Sequence, residues 1–144
     1  MRLIATIITL SILLYSCKPS ADDLLQKELK KHIQLQKENV NIISVGNTIS
    51  FEQGIREGID RSRYPAPDLH IELDTTFFKY QGSKTFSNPD EAGGISTKLD
   101  IYKATQPGKT EIKAYEIRYT TKENNERIFD TTINLIGMYT IVIR

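Results

Sequence analysis

Three polar residues with chemically useful side chains stand at alternate positions of one segment. His70, Glu72 and Asp74 are separated by the apolar residues Ile71 and Leu73. In a β-strand, residues two apart lie on the same face, about 6.5–7 Å from each other. An imidazole and two carboxylates in that arrangement are candidates for a metal site or for acid–base catalysis, provided that further groups converge from another element.

The same alternation is produced by the solvent-facing side of any half-buried strand, and we favour this simpler interpretation. Sheets with one solvated face commonly alternate apolar and polar side chains. His32 is the only other histidine, which excludes a zinc site made of three histidines. We therefore predict no metal and no catalytic residue, and keep an enzyme that uses this strand face as an alternative.

Aromatic residues follow in the same segment. If the strand continues without interruption, Phe78 and Tyr80 share the face of the three polar residues. A strip of aromatic rings and carboxylates could bind a protein partner or a sugar. Alternatively, residues 50–61 or the loop after the strand cover these rings, because aromatic side chains usually belong to a core. The candidate binding face comprises His70, Glu72, Asp74, Phe78 and Tyr80.

Other catalytic motifs are missing from the sequence. No G-x-S-x-G motif for a serine nucleophile occurs. Gly93 and Gly94 lie in an acidic loop before a predicted strand, which is the wrong context for a phosphate-binding loop. The sequence therefore predicts no cofactor.

The segment Asp22–Asn39 is predicted to be an amphipathic helix. Ser20 and Asp23 form the pattern of a capping box at its start. Leu25, Leu29 and Ile33 recur every four residues and predict one apolar face.

A second short helix is predicted at Ser50–Arg61, where Phe51, Ile55 and Ile59 also stand four residues apart. Gly54 and Gly58 weaken this helix, and a hairpin around Gly46-Asn47 is the alternative.

The remaining sequence predicts strands. Alternation of apolar and polar residues begins at Leu69 and runs through the Phe77-Phe78 pair. Since helices precede a run of strands, we predict an α+β fold. In it the N-terminal helix, with or without the second one, packs on an antiparallel meander of about four or five strands, and residues 22–144 form one domain. Further strands are predicted at Val40–Val45, Ile95–Ala104, Thr110–Thr121, Ile128–Asn134 and, after a bulge or bend at Gly137, Tyr139–Ile143.

The N-terminus has the features of an export signal. Arg2 is followed by the largely aliphatic run Leu3–Leu14. A run of this length is typical of a signal peptide and is shorter than the roughly 20 apolar residues that span a bilayer. The motif Leu14-Tyr15-Ser16-Cys17 resembles the lipobox of bacterial lipoproteins.

This resemblance implies a location and a membrane partner. It implies that residues 1–16 are a signal peptide, that Cys17 is lipidated with diacylglycerol and palmitate-type chains, and that residues 17–21 are a tether to the membrane. Lys18, in place of an aspartate, implies transport to the outer membrane, on its periplasmic or its outer side. An uncleaved anchor helix and an ordinary secretory signal remain alternatives. Cys17 is the only cysteine, so an internal disulfide is excluded.

Charge composition excludes one class of partner. Removal of residues 1–16 takes away Arg2, one of the 19 basic residues, and none of the 18 acidic residues. The balanced charge that remains gives no electrostatic basis for binding nucleic acid. We expect a non-catalytic binding or interaction module of the bacterial envelope. The alternatives are a small-ligand carrier with a cavity between helix and sheet, and a small hydrolase-like or metal-dependent enzyme that uses His70, Glu72 and Asp74.

Overall fold

A computed structural model of the 144-residue chain describes residues 19–56, 67–87, 95–121 and 129–144. Most of these residues lie in strands, and the helix is only nine residues long. The prediction of an α+β fold is therefore wrong, because the protein is built mainly from two β-sheets. Cys17 and the predicted signal peptide lie outside the described residues. The elements are α1 (Ala21–Leu29), β1 (Val40–Ile43), β2 (Thr48–Arg56), β3 (Asp68–Glu72), β4 (Phe78–Phe86), β5 (Ile95–Ala104), β6 (Gly108–Thr121) and β7 (Phe129–Ile143).

The strands form a two-layer sandwich. One sheet has the order β1-β7-β6-β3, and the other has the order β2-β5-β4. All neighbouring strands are antiparallel except β1 and β7, which are parallel. This arrangement is similar to that of immunoglobulin-type sandwiches, in which the chain crosses repeatedly from one sheet to the other. A meander would instead keep consecutive strands in one sheet, and a shared architecture of this kind does not by itself indicate a function.

The core lies between the two sheets. Phe51 packs edge-on against Tyr102 and Tyr139, with ring centroids 6.1 and 6.0 Å apart. The contact with Tyr139 joins the two sheets, whereas Tyr102 lies in the same sheet as Phe51. The buried side chains of the core are Ile43, Ile49, Phe51, Phe78, Ala104, Ile112, Ile141 and Ile143.

Helix α1 begins where the sequence predicts and ends much earlier. The Ser20 hydroxyl accepts a hydrogen bond from the backbone N–H of Asp23, and the Asp23 carboxylate accepts one from the backbone N–H of Ser20. The helix then stops at Leu29 instead of Asn39. Beyond it, the backbone N–H of Ile33 donates to the carbonyl of Thr48, and Ile33 forms a bridge with β2. Pairing with the sheet thus replaces the last predicted turns of helix.

The predicted helix Ser50–Arg61 is also wrong over its described part, which belongs to β2. Residues four apart share a face in a helix, but they also share a face in a strand. The spacing of Phe51 and Ile55 therefore fits both structures, and pairing with β5 along the whole of β2 decides for the strand. Residues 57–61 of this prediction lie outside the described part of the chain.

The long strand predicted from Leu69 is interrupted after Glu72. Asp74 forms a turn: its carboxylate accepts from the backbone N–H of Thr76, and its carbonyl accepts from the N–H groups of Phe77 and Phe78. This turn carries the chain from the four-stranded sheet to β4 in the three-stranded sheet.

The other predicted strands lie close to their expected positions, although the last two form the single strand β7. Strand β5 has the predicted bounds, Ile95–Ala104. Strand β7 carries a bulge beside Gly137, since Gly137 pairs with Ala114 while Leu135 pairs with Tyr115. In the described residues, no helix is long and apolar enough to cross a membrane.

Candidate functional site

The strand register defines the outer face of the four-stranded sheet. Ile112 and Ala114 of β6 point into the core, so the alternate residues of β6 point to solvent. Directly opposed residues of paired strands lie on the same face of a sheet. His70 therefore lies beside Tyr115 on this outer face, and Leu135 lies on the other side of Tyr115. The outer face thus includes Asp68, His70 and Glu72 of β3, Lys113, Tyr115 and Ile117 of β6, Ile133, Leu135 and Met138 of β7, and Val40 and Ile42 of β1.

One margin of the outer face combines acidic and aromatic residues. The Tyr115 hydroxyl donates to Glu72 at 3.1 Å, and the Tyr119 hydroxyl donates to Asp68 at 3.1 Å. The His70 ring lies 6.2 Å from that of Tyr115. We call Asp68, His70, Glu72, Tyr115 and Tyr119 the acidic margin.

The chemistry of the acidic margin suits binding better than proton transfer. Desolvation, followed by the hydrogen bond to Glu72, raises the pKa of Tyr115, and the hydrogen bond to Asp68 raises the pKa of Tyr119. Both tyrosines therefore stay protonated at neutral pH and act as donors. Lys113 also lies 3.8 Å from Glu72. Both carboxylates thus already accept hydrogen bonds, which suits polar contact with a partner.

The rest of the outer face carries an apolar band. The five aliphatic residues of the band are 50–62% exposed, although such residues are usually buried. Together they expose roughly 500 Å² of surface, near the upper end of the largest apolar patches on monomeric proteins, which often serve a function. The apolar band consists of Val40, Ile42, Ile133, Leu135 and Met138.

The structure does not bring the five predicted binding residues together. His70 and Glu72 lie on the outer face, whereas Asp74 lies in the turn after β3. Hydrogen bonds from Thr76 lower the pKa of Asp74. Phe78 is a buried core residue, 1% exposed. Tyr80 lies on β4 of the other sheet, where its hydroxyl contacts Ser83 and Asp100 and its ring lies 5.3 Å from that of Tyr102.

Metal binding finds no support in the geometry. Across residues 19–56, 67–87, 95–121 and 129–144, no three histidine, cysteine, aspartate or glutamate side chains are placed to hold an ion.

Two adjoining clefts open between the sheets, with volumes of about 240 and 220 Å³. Both are lined by Glu52, Leu69 and Ile136, and neither lies between helix and sheet. Their volumes are below the range of about 300–1,000 Å³ that is usual for ligand pockets.

The apolar band was missed in the sequence, although β7 carried a signal for it. Apolar residues occupy both faces of this strand, since Met138 points outward while Ile141 and Ile143 are buried. A strand that is apolar on both faces must be covered on both sides or expose one apolar face. The sequence alone does not show which of the two applies.

Two solved structures show a weak likeness to this chain. The sequence matches no protein-family model and no curated protein. A crystal structure of the cysteine protease inhibitor EhICP2 from Entamoeba histolytica aligns with 75% of this chain and 88% of its own, at 19% identity and a TM-score of 0.49. The solution structure of amebosin aligns with 75% of this chain and 90% of its own, at 10% identity and a TM-score of 0.38. Neither likeness carries an argument about function.

Proposed function

We propose that this chain is a non-catalytic interaction module, held on the bacterial envelope by a lipid at Cys17, and that it binds a protein partner through its outer face. The observation that carries this proposal is the apolar band. An exposed apolar patch of this size beside a polar border is typical of a protein interaction site.

The energetics support a partner that covers more than the band. Burial of roughly 500 Å² of apolar surface gives about 12 kcal/mol of gross stabilisation. Association itself costs an estimated 4–15 kcal/mol in lost freedom of motion. The band alone therefore gives little net affinity, and a stable complex also needs polar contacts such as those that the acidic margin offers.

The proposed anchor leaves the outer face accessible from the aqueous compartment. From Cys17 to Ala21 the chain reaches at most about 14 Å, so the start of α1 would stay close to the lipid surface. Helix α1 lies on the outside of the three-stranded sheet, where Glu28 forms an ion pair with Lys84 of β4. The outer face is on the opposite side of the sandwich from α1, which makes it accessible to a protein in the aqueous compartment.

The two alternatives have weaker support. An enzyme that uses His70, Glu72 and Asp74 would need these groups to converge, whereas Asp74 binds its own turn and Glu72 accepts from Tyr115. A small-ligand carrier would need a cavity between helix and sheet, whereas the two clefts open between the sheets.

Lipidation is tested by metabolic labelling with an alkyne analogue of palmitate. We expect the full chain to incorporate the label and the Cys17→Ala variant to lose it. Ser20→Ala is the matched control and should keep the label, because it alters the helix cap and leaves the cysteine in place. Equal labelling of the wild type and Cys17→Ala would refute the anchor.

The binding face is tested by a photo-crosslinking amino acid placed at single positions of the full chain in living bacteria. Leu135 represents the apolar band, and Leu24 on α1 is an exposed leucine that lies outside it. We expect a discrete protein adduct from position 135 and not from position 24. The same adducts from both positions, or none from position 135, would overturn the proposed face.

A further inference from the structure

We infer that the protein that covers the outer face is a second copy of this chain, so that the domain forms a symmetric dimer. This inference rests on the proposed function, because it names the partner of the same face. Its first support is size. The apolar band, together with the half-buried Tyr115, Ile117 and Tyr119 beside it, approaches the roughly 800 Å² per partner that a stable interface needs.

Along β7 and β1, the composition of the face is that of a homodimer interface. Such interfaces are more apolar than transient ones, with charged residues depleted at the centre and aromatic residues and methionine enriched. Strand β7 contributes Ile133, Leu135 and Met138 to the centre of the outer face, with two tyrosines nearby. The neighbouring β6 also presents Lys109, Glu111 and Lys113 on this face. The carboxylates of Asp68 and Glu72 lie along the edge strand β3. A face-to-face pair would bury the apolar band and leave these carboxylates at the rim, where water still solvates them.

Charge does not oppose self-association. A symmetric interface brings each surface against its own copy, so a strongly charged face repels itself. Here a cation lies beside the acidic margin, since the ammonium of Lys113 is 3.8 Å from the carboxylate of Glu72. The basic and acidic residues that remain after removal of residues 1–16 are equal in number, so there is no long-range repulsion between copies.

The proposed anchor favours a pair of copies further. Two copies tethered by a few residues to the same leaflet are confined to a thin layer and share one orientation relative to the membrane. Confinement raises their effective concentration, so even a weak contact between two such faces becomes populated. If both sandwiches stand upright on the membrane, a two-fold axis perpendicular to the membrane lets the two outer faces meet and satisfies both tethers at once.

Disulfide trapping in native membranes tests the inference. If Cys17 is acylated, a cysteine introduced by Ile133→Cys, Leu135→Cys or Met138→Cys is the only free thiol of the full chain. A disulfide needs Cα atoms within about 7 Å, so only positions near the two-fold axis can bridge two copies. After mild oxidation, we expect a band of twice the monomer mass for at least one of the three variants. Leu24→Cys and the unmodified chain should show none.

A charge placed in the band tests whether the trapped dimer uses this face. We expect Ile133→Lys to lower the yield from Leu135→Cys or Met138→Cys roughly tenfold or more, because a buried hot-spot position contributes about 2 kcal/mol or more. Leu24→Lys should leave the yield unchanged. Dimer yields no higher than those of Leu24→Cys at all three positions would overturn the inference, as would dimers that resist Ile133→Lys.

The photo-crosslinking experiment separates this failure from failure of the proposed function. An adduct from position 135 at twice the monomer mass supports the dimer. An adduct from the same position to a different protein overturns the dimer and leaves the proposed interaction face standing. Absence of any adduct specific to the face overturns both.

Discussion

The ionic cluster around Glu28 should make the free energy of unfolding depend on pH in the acidic range. The Glu28 carboxylate is only 10% exposed and lies 2.6 Å from the ammonium of Lys84 and 2.8 Å from that of Lys31. The ring of His32 is 3.5 Å away. Hydrogen bonds from Lys31 and then Lys84 lower the pKa of Glu28 from 4.5 to about 2.

The sign and size of the effect follow from proton linkage. A carboxyl group with a lowered pKa in the folded state stabilises the fold above its unfolded pKa, and this stabilisation disappears as the pH falls through the folded pKa. The change of pKa corresponds to at most about 3 kcal/mol. Since the side chains of Lys31 and Lys84 are about half exposed, solvent screening reduces this to about 1–2 kcal/mol.

Glu28→Gln should therefore lower the free energy of unfolding by about 1–2 kcal/mol at pH 7. We expect the difference from the wild type to shrink below about pH 5 and to be mostly gone near pH 2. Chemical denaturation followed by circular dichroism at several pH values measures it. The comparison isolates Glu28, because the other carboxylates titrate in both proteins.

Glu111→Gln is the matched control, since it removes the same charge from an exposed position of β6. We expect it to change the free energy of unfolding by less than about 0.5 kcal/mol at any pH. The reasoning is refuted if the two variants are equally stable at pH 7. It is also refuted if the deficit of Glu28→Gln stays constant from pH 7 to pH 2.

Two further predictions concern buried residues on opposite sides of the sandwich. Leu99 is fully buried on the helix-covered face of the three-stranded sheet, so Leu99→Ala should lower the free energy of unfolding by about 2–5 kcal/mol. The exposed Leu24→Ala should cost far less, and similar melting temperatures would contradict the assignment. The amide of Asn41 accepts from the N–H of residue 36 and donates to the carbonyls of residues 36, 39 and 140. Asn41→Ala should cost about 1–3 kcal/mol in thermal denaturation, and Asn39→Ala, at an exposed position, should cost less; equal losses would count against this role of Asn41.

Local patterns in the sequence predicted several features of the fold correctly. The capping pattern of Ser20 and Asp23 located the start of α1, because side-chain capping depends only on residues three apart. The bounds of β5 were predicted correctly, and Gly137 marked the bulge of β7. The N-terminal motif ending in Cys17 yields a proposed location from sequence alone.

Pairing between strands determined whether a segment is helix or strand where the local spacing of apolar residues fits both. Residues four apart lie on one face in a helix and in a strand, so the spacing of Phe51 and Ile55 could not distinguish the two. The same ambiguity lengthened the predicted helix to Asn39, whereas Ile33 pairs with β2. Hydrogen bonds to distant strands resolved both cases, and those partners are far away in sequence.

The division of the strands into two sheets determines which residues meet at the candidate site. Alternation from Leu69 onward is continuous in the sequence, but the Asp74 turn sends the chain to the other layer. Phe78 therefore enters the core, and His70 is left beside residues of β6 and β7. The sequence determined that β7 is apolar on both of its faces. Only the tertiary structure decided which of these faces is buried between the sheets and which is exposed, because burial depends on where the second sheet packs.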